Sequence, residues 1–471
     1  MIDRRQLLGT GGLALAGLTG GCATLPAGGS TAGAAPRDLI LDLQERSFRF
    51  FWDTTDPATG WAPDRWPTPS FSSIAAVGFA LTAYPVGVVN GWITREQART
   101  RTLATLEWFA AAPQGPGADD ASGNKGFFYH FLGVTKGLRF ARAELSTIDT
   151  ALLIAGVLFA GTWFDGADPA EARIRALADQ LYAAVDWTWI VPRPPFLSMG
   201  WHPESGFIAS DWNIYNEGML MYLLAIASPT HPLPPATWGA LTQRFEAAWT
   251  TRWGEAYLHY PPLFVHQYSH VWVDFRGIRD PFIASKGIDY FENSRRAVRN
   301  QRAYAIANPG GWIGYDKDCW GWTACDGPGD FTATLRGRSR EFFSYSERGP
   351  GTRDDGTIAP TAAAGSIAFE PELAETCIRT MHDRYGEGIY GQYGFLDSFN
   401  PTLTDPNAPL KHGRVVPGIG WVDKDFLGID QGPIVAMIEN QRTGLIWKTM
   451  QRNPHLRRGL ERAGFRGGWL G

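Results

Sequence analysis

The stretch DWNIYNEGMLMYLLA, residues 211–225, puts Asn213, Tyr215, Asn216 and Glu217 directly ahead of a run that is apolar from Met219 onward. The spacing predicts a buried helix over 213–227 with a carboxylate in its first turn. An acid there gains about 0.3–1 kcal/mol from the helix dipole. The same acid, backed by apolar side chains, has its charged form penalised and can keep a proton for general-acid chemistry. Two further stretches repeat the pattern. ELSTIDTALL sets Glu144 just before a predicted helix and Asp149 in its first turn, and IDQGPIVAMIEN sets Asp430 just before another. Pro433 then falls where an N-terminal proline belongs. Each acid alone reads as a cap, since Ser146-x-x-Asp149 is nearly a capping box. Together, with Trp212, Asn213 and Asn216 beside Glu217, they are the equipment of glycoside hydrolysis. One carboxyl protonates the leaving oxygen while another holds a water or attacks the sugar.

The elements that must position these groups are helical. Periodicity predicts helices near 37–53, 72–88, 94–111, 145–164, 169–188, 213–227, 235–251, 283–306, 360–367, 370–385 and 431–442, with a short one at 445–451. Their character alternates. REQARTRTLATLEWFAA and PAEARIRALADQLYAAVDWT carry one charged face, whereas 72–88, 145–164 and 213–227 are apolar nearly all round and so require burial on every side. That order fits an all-α (α/α)6 toroid, six inner helices ringed by about six outer ones. A solenoid is disfavoured because no repeat of the sequence recurs at a fixed period. In a toroid every inner helix runs the same way, so Glu217, Asp149, Glu144 and Asp430 would converge on one rim. The segments 253–280, 307–358 and 389–425 are loop chemistry with room for short strands, and Trp312, Tyr315, Trp320, Trp322 and Asp326 mark the middle one as functional.

Composition sets the ligand class. The 471 residues carry a net charge of -4 with no basic run, which argues against nucleic acid. With 20 Trp, 27 Phe and 15 Tyr, the chain suits a neutral ring-shaped ligand, because sugar faces stack on aromatic rings; a large core rich in buried Trp is the alternative. His130 in FFYHFLG, and His266, Gln267 and His270 in FVHQYSHVWVDFRG, suit hydrogen bonding to sugar hydroxyls or a structural role. His266 and His270 have metal-pair spacing on a helix, but that stretch reads as extended or irregular and lacks the Glu of H-E-x-x-H. No metal and no cofactor are expected. Cys319 and Cys325 could pair in an oxidising compartment, and Cys377 reads as a small buried apolar residue. Ahead of residue 37 the chain is expected to lie outside the fold. Residues 1–22 hold a twin-arginine pair, Arg4 and Arg5, and a short apolar run, and read as an export signal. Cys22 ends LTGGC, which is similar to a lipoprotein cleavage box with Thr19 where Leu is usual, so Cys22 is a candidate lipid anchor. Residues 23–36 read as a flexible tether, and 37–471 as one domain.

Eight ordered motifs across residues 38–452 carry a family resemblance: QERSFRFFWD, FFYHF, ELSTIDTALL, DWNIYNEGMLMYLLAIASPTHP, HQYSHVWVDFRG, CWGWTACDGP, GFLDSFN and IDQGPIVAMIENQRTGLIW. In these the chain resembles the glucoamylase-like family of bacterial proteins, which includes the endo-β-1,2-glucanases of glycoside hydrolase family 144. The resemblance implies an exported, cofactor-free (α/α)6 enzyme that cuts a β-linked glucan. It places Glu217 on the family's essential glutamate, Asp149 on a second acidic position, Asp397 on a further carboxylate, and Trp320 and Asp326 in the aromatic loop. One departure stands out: Ser146 occupies a position where the characterised endo-glucanases carry an acid. The expectation is therefore a β-glucan hydrolase, β-1,2 first, acting with inversion. Glu217 would be the acid, and Asp149 or Glu144 would attend the water. A sugar epimerase or lyase on the same fold, and a non-catalytic glycan-binding lipoprotein, are the alternatives. Endo or exo action would depend on how 307–358 and 389–425 close the cleft, and the oligomeric state is open.

Overall fold

The computed structural model describes residues 38–471. The export signature, Cys22 and the tether lie outside the described residues. Within them, twelve helices alternate between an outer and an inner ring. Outer α1 (Leu39–Thr54) leads to inner α2 (Ile74–Val89), then outer α3 (Arg95–Ala111), inner α4 (Thr147–Trp163), outer α5 (Pro169–Ala184) and inner α6 (Met219–Ala227). Outer α7 (Ala236–Phe245), inner α8 (Phe264–Trp272), a short α9 (Pro281–Ser285), outer α10 (Tyr290–Ala307), inner α11 (Pro360–Ala364), outer α12 (Pro371–Tyr385) and inner α13 (Gly428–Arg442) follow. Two more helices, α14 (Leu445–Met450) and α15 (Pro454–Arg462), finish the chain. The inner helices lack a polar face because they have no solvent side: α2 buries every residue from Ile74 to Gly87.

The inner ring closes through six seams. Between α2 and α4 the backbones touch, and a Cβ on Gly156 would lie 2.1 Å from the Gly78 carbonyl. Helices α4 and α6 pack side by side. Ser269 on α8 donates to the Glu217 carbonyl (3.0 Å) and accepts from the Leu220 amide (3.1 Å), tying α8 to the start of α6. Gln267 on α8 donates to the Ala362 carbonyl of α11 (2.9 Å), and Thr361 of α11 to the Asp430 carbonyl of α13 (3.3 Å). Gly432 of α13 lets Phe79 of α2 lie flat against it. Two-residue strands stitch the face where inner helices begin. Arg65–Trp66 pairs with Phe426–Leu427 before α13, Ser72–Ser73 with Phe131–Leu132 before α2, and Leu145–Ser146 with the Gly200–His202 strand before α4.

Several boundaries differ from the sequence expectations. The helix expected over 213–227 starts only at Met219, because Asn216 accepts the Gly218 amide in a preceding turn (2.9 Å); Glu217 therefore stands just ahead of the helix. The stretch FVHQYSHVWV, expected to be extended or irregular, forms α8 up to Trp272. Its polar residues are fully buried and bonded to neighbouring helices, which hides them from a one-face periodicity test. Asp430 lies inside the first turn of α13, and Pro433 sits within the helix. Proline there leaves the Ile429 carbonyl without its usual amide partner, and the Tyr268 hydroxyl reaches that carbonyl at 3.4 Å. Helix α15, capped by Asn453 ahead of Pro454, was not anticipated. Cys319 and Cys325, whose pairing the sequence left open, are separate buried thiols, Cys325 bonded to the Arg348 guanidinium. The loops 307–358 and 389–425 do hold strands, a Phe331–Leu335/Arg338–Phe342 hairpin and a three-stranded set around Gly420–Val422.

The α2–α4 seam yields a direct test. Gly156→Ala inserts a methyl into carbonyl contact and should cost about 1–3 kcal/mol of stability. Chemical denaturation should show the lower midpoint; an unchanged midpoint would mean the two helices are not in backbone contact.

Candidate active site

Glu217 lines a cavity of about 330 Å³ together with Met199, Ser210, Trp212, Asn213, Ile214, Asn216, Tyr260 and Glu347. Its wall carries three carboxylates, Asp211, Glu217 and Glu347, and no Lys or Arg. Asp211 is clamped by Arg193 at 2.5 and 2.9 Å, so its charge is already matched. Glu217 is 4% exposed and held in place by the turn that precedes α6. A larger hollow of about 470 Å³, between α7, α9 and the end of α15, has no carboxylate on its wall and offers no acid–base pair.

A second carboxylate node sits beside this cavity. The Trp212 indole donates to Thr147 Oγ1 (2.9 Å) at the start of α4, and Thr147 Oγ1 also bonds the Met199 carbonyl (3.0 Å) on the cavity wall. Two residues on, Asp149 accepts the Ser146 hydroxyl through Oδ2 (2.5 Å), while Ser146 caps the Asp149 amide. His130 lies between the two acids, with Nδ1 2.9 Å from Glu144 Oε1 and Nε2 3.6 Å from Asp149 Oδ1. Its ring stacks on Phe131 at 3.8 Å. The imidazole so placed bridges the two carboxylates. Ser146, which stands where an acid was expected, serves here as helix cap and as a donor to Asp149.

The third cluster gathers at the starts of α11 and α13. Asp326, Asp397 and Asp423 bring carboxylate oxygens within 4.8 Å of one another, and among the described residues this is the grouping with the capacity to hold a cation. A cationic partner is already in place: Arg65 reaches Asp326 at 2.6 Å, Asp64 at 3.3 Å and Asp425 at 3.5 Å. Burial works against the Arg65 charge, but Asp326 and Asp64 outweigh it and hold its pKa above the usual value. Asp397 accepts the Asp326 amide at 2.7 Å. Burial, followed by the charges of Asp430 and Asp326, pushes its carboxyl well above the ordinary range. Burial and the charges of Asp326 and Asp397 do the same to Asp423. These two groups therefore hold protons at pH values where an exposed aspartate is ionised. Arg65 and Glu347 were not anticipated. Each lies on a two-residue strand, so neither leaves a periodic signal.

The remaining anticipated residues fall elsewhere. Trp320 and Trp322 are fully buried, with the Trp322 indole on the Tyr315 hydroxyl (2.9 Å), and they present no face to a ligand. His266 bonds the Tyr215 hydroxyl and the Tyr260 carbonyl (3.0 and 3.2 Å), and His270 bonds Ser294 (3.1 Å). Burial lowers the pKa of each to about 3, so both are neutral structural imidazoles. Gln267 is spent on Ala362 and Ser366.

The helical toroid gathers buried carboxylates at the starts of its inner helices. Comparison narrows this. The sequence profile of the family described as "Putative glucoamylase" matches residues 209–454, and the chain belongs to that glucoamylase-like family. A protein of the same description from Bacteroides uniformis is 30% identical, with a TM-score of 0.79 over 94% of this chain and 100% of its own. An endo-β-1,2-glucanase from Chitinophaga pinensis, solved with sophorotriose and glucose, is 27% identical, with a TM-score of 0.76 over 92% of this chain and 99% of its own. An exo β-1,2-glucooligosaccharide sophorohydrolase from Parabacteroides distasonis is 29% identical over 460 residues, 90% of this chain; the match spans only 58% of that relative's length.

The aspartate cluster predicts a pH signature. A carboxyl whose folded pKa is raised binds more protons in the folded than in the unfolded state, so its contribution to stability is lost as pH rises from the ordinary aspartate value toward the folded one. Asp423→Asn removes that loss. Its melting temperature should exceed the wild type's at pH 8 by about 1–3 °C and match it near pH 4. Equal melting curves at both pH values would contradict a proton-retaining Asp423.

Proposed function

We propose that the protein is an exported glycoside hydrolase that cleaves β-1,2-glucan, with Glu217 as general acid and Asp149, assisted by Glu144, attending the water. The observation that carries this reading is the placement of Glu217 on a cavity wall whose Trp212 is bonded to the start of α4, two residues from Asp149. The near-complete coverage of the Chitinophaga pinensis endo-β-1,2-glucanase supports the substrate class. Glu217, packed ahead of an apolar helix, would hold its proton until the leaving oxygen takes it. Asp149 would accept the proton of the attacking water, and His130 offers a path onward to the less buried Glu144. Inversion belongs to the proposal and requires a water between acid and base, with carboxyl groups about 6.5–9.5 Å apart. A lyase acting on uronates would need cations in the cleft; this cavity wall has none. Export, and lipid attachment at Cys22, complete the proposal on the strength of the N-terminal sequence. Among the described residues no helix is long and apolar enough to cross a membrane.

Glu217→Gln keeps the shape and removes the transferable proton. It should lower hydrolysis of linear β-1,2-glucan by about 10²–10⁴-fold with an unchanged melting temperature, read by product chromatography. Turnover equal to the wild type's would remove Glu217 from the chemistry. Absence of shortened chains with the wild type, across a panel of glucans, would favour a binding protein.

A further inference from the structure

Of the three carboxylates on the cavity wall, Asp211 is clamped by Arg193 and Glu217 is assigned to proton donation, which leaves Glu347 without a role. Glu347 is half-buried on the Ser346–Glu347 strand, where it pairs with Ala324. The Tyr260 hydroxyl donates to its Oε2 at 3.3 Å. Both partners are fixed from behind. Gly349 packs so closely on Pro261 that a Cβ there would lie 2.4 Å from the proline, which locks the Glu347 strand to the Tyr260 segment. The Tyr260 carbonyl meets His266 Nε2 at 3.2 Å. A carbonyl only accepts, so Nε2 carries the hydrogen and Nδ1 accepts from the Tyr215 hydroxyl at 3.0 Å. Asn293 in turn donates to the Tyr215 oxygen at 3.2 Å. A buried chain of three side chains thus holds Tyr260, which touches Glu347 on a wall that carries no Lys or Arg.

A carboxylate accepts up to about four hydrogen bonds, and its bonds to hydroxyl donors are of the strong, charge-assisted kind. We propose that Glu347 is a substrate-contacting residue that accepts hydroxyl hydrogen bonds from the glucosyl unit seated in the Glu217 cavity, and that Tyr260 is its positioning residue. The inference rests on the proposed glucan substrate and deepens it: the ligand class is a neutral polyhydroxylated pyranose. Its hydroxyls would meet Glu347 on one side and Asn213 and Asn216 on the other, with Ile214 and Trp212 forming the apolar part of the wall. An anionic sugar would be repelled by the same wall.

Calorimetric titration of the Glu217→Gln protein with β-1,2-glucotriose tests this without turnover. Adding Glu347→Gln should weaken binding about 10–100-fold. Adding Tyr260→Phe should weaken it less, and the two changes together should do no more than Glu347→Gln alone, as a positioning role requires. In the active enzyme Glu347→Gln should raise KM by a similar factor while kcat changes less than about threefold. Equal binding with and without Glu347→Gln overturns the proposal while leaving the substrate reading intact. A collapse of kcat at unchanged KM would also overturn it, by making Glu347 part of the chemistry. No binding of β-1,2-glucotriose to the Glu217→Gln protein, together with no hydrolysis by the wild type, would sink the substrate reading and this proposal with it. Melting curves of each variant separate loss of fold from loss of contact, and Tyr260→Phe, which removes one oxygen, keeps the test open should Glu347→Gln prove unstable.

Discussion

Carboxylates buried side by side repel each other and lose hydration, and an isolated one simply takes up a proton. This protein retains at least seven near the starts of its inner helices, and the compensation each receives shapes its role. Arg65 meets Asp326, Asp64 and Asp425. Ser146 and its neighbouring amide hold Asp149, and His130 lies between Asp149 and Glu144. Burial and neighbouring acids outweigh what Arg65 offers Asp397 and Asp423, which keep protons instead. Removing Arg65 would take away the guanidinium that Asp326, Asp64 and Asp425 share, on the strand that pairs with the one leading into α13.

The toroid makes such a cluster achievable. Backbone contact between α2 and α4, enabled by Gly78 and Gly156, draws the inner ring tight. Each inner helix begins on the same face, and the short strands there pair residues far apart in sequence, Arg65 with Leu427 and Ser72 with Leu132. Side chains that leave this face therefore have fixed neighbours. The Glu217 cavity opens in one sector, where the turn ahead of α6 meets the Tyr260 segment and the Glu347 strand.

Much of this was legible in the chain itself. Helices without a polar face, such as α2 and α4, can only be inner helices, and their alternation with amphipathic ones gave the toroid. The acids at 144, 149, 217 and 430 stood out because each precedes or opens an apolar run. What failed to show did so for physical reasons. Helix α8 was hidden because an element buried on all sides can carry His266, Gln267 and His270 inward if neighbours satisfy them, which erases the periodic contrast between faces. Trp320 and Trp322 looked like sugar platforms, yet a fully buried indole is equally a core residue; residue type alone does not separate the two. Glu347 and Arg65 lie on two-residue strands, too short to carry any alternation, and only the three-dimensional pairing brings them to the acids.

In the proposed function the Glu217 cavity is where a glycosidic bond is held. A crystal structure of the Glu217→Gln protein bound to a β-1,2-linked gluco-oligosaccharide tests it most directly. A glycosidic oxygen is expected about 2.6–3.2 Å from the residue 217 side chain, with sugar rings along the wall formed by Trp212, Ile214 and Glu347. A saccharide seated instead in the hollow beside Trp238 and Phe282, with the Glu217 cavity filled only by water, would contradict it.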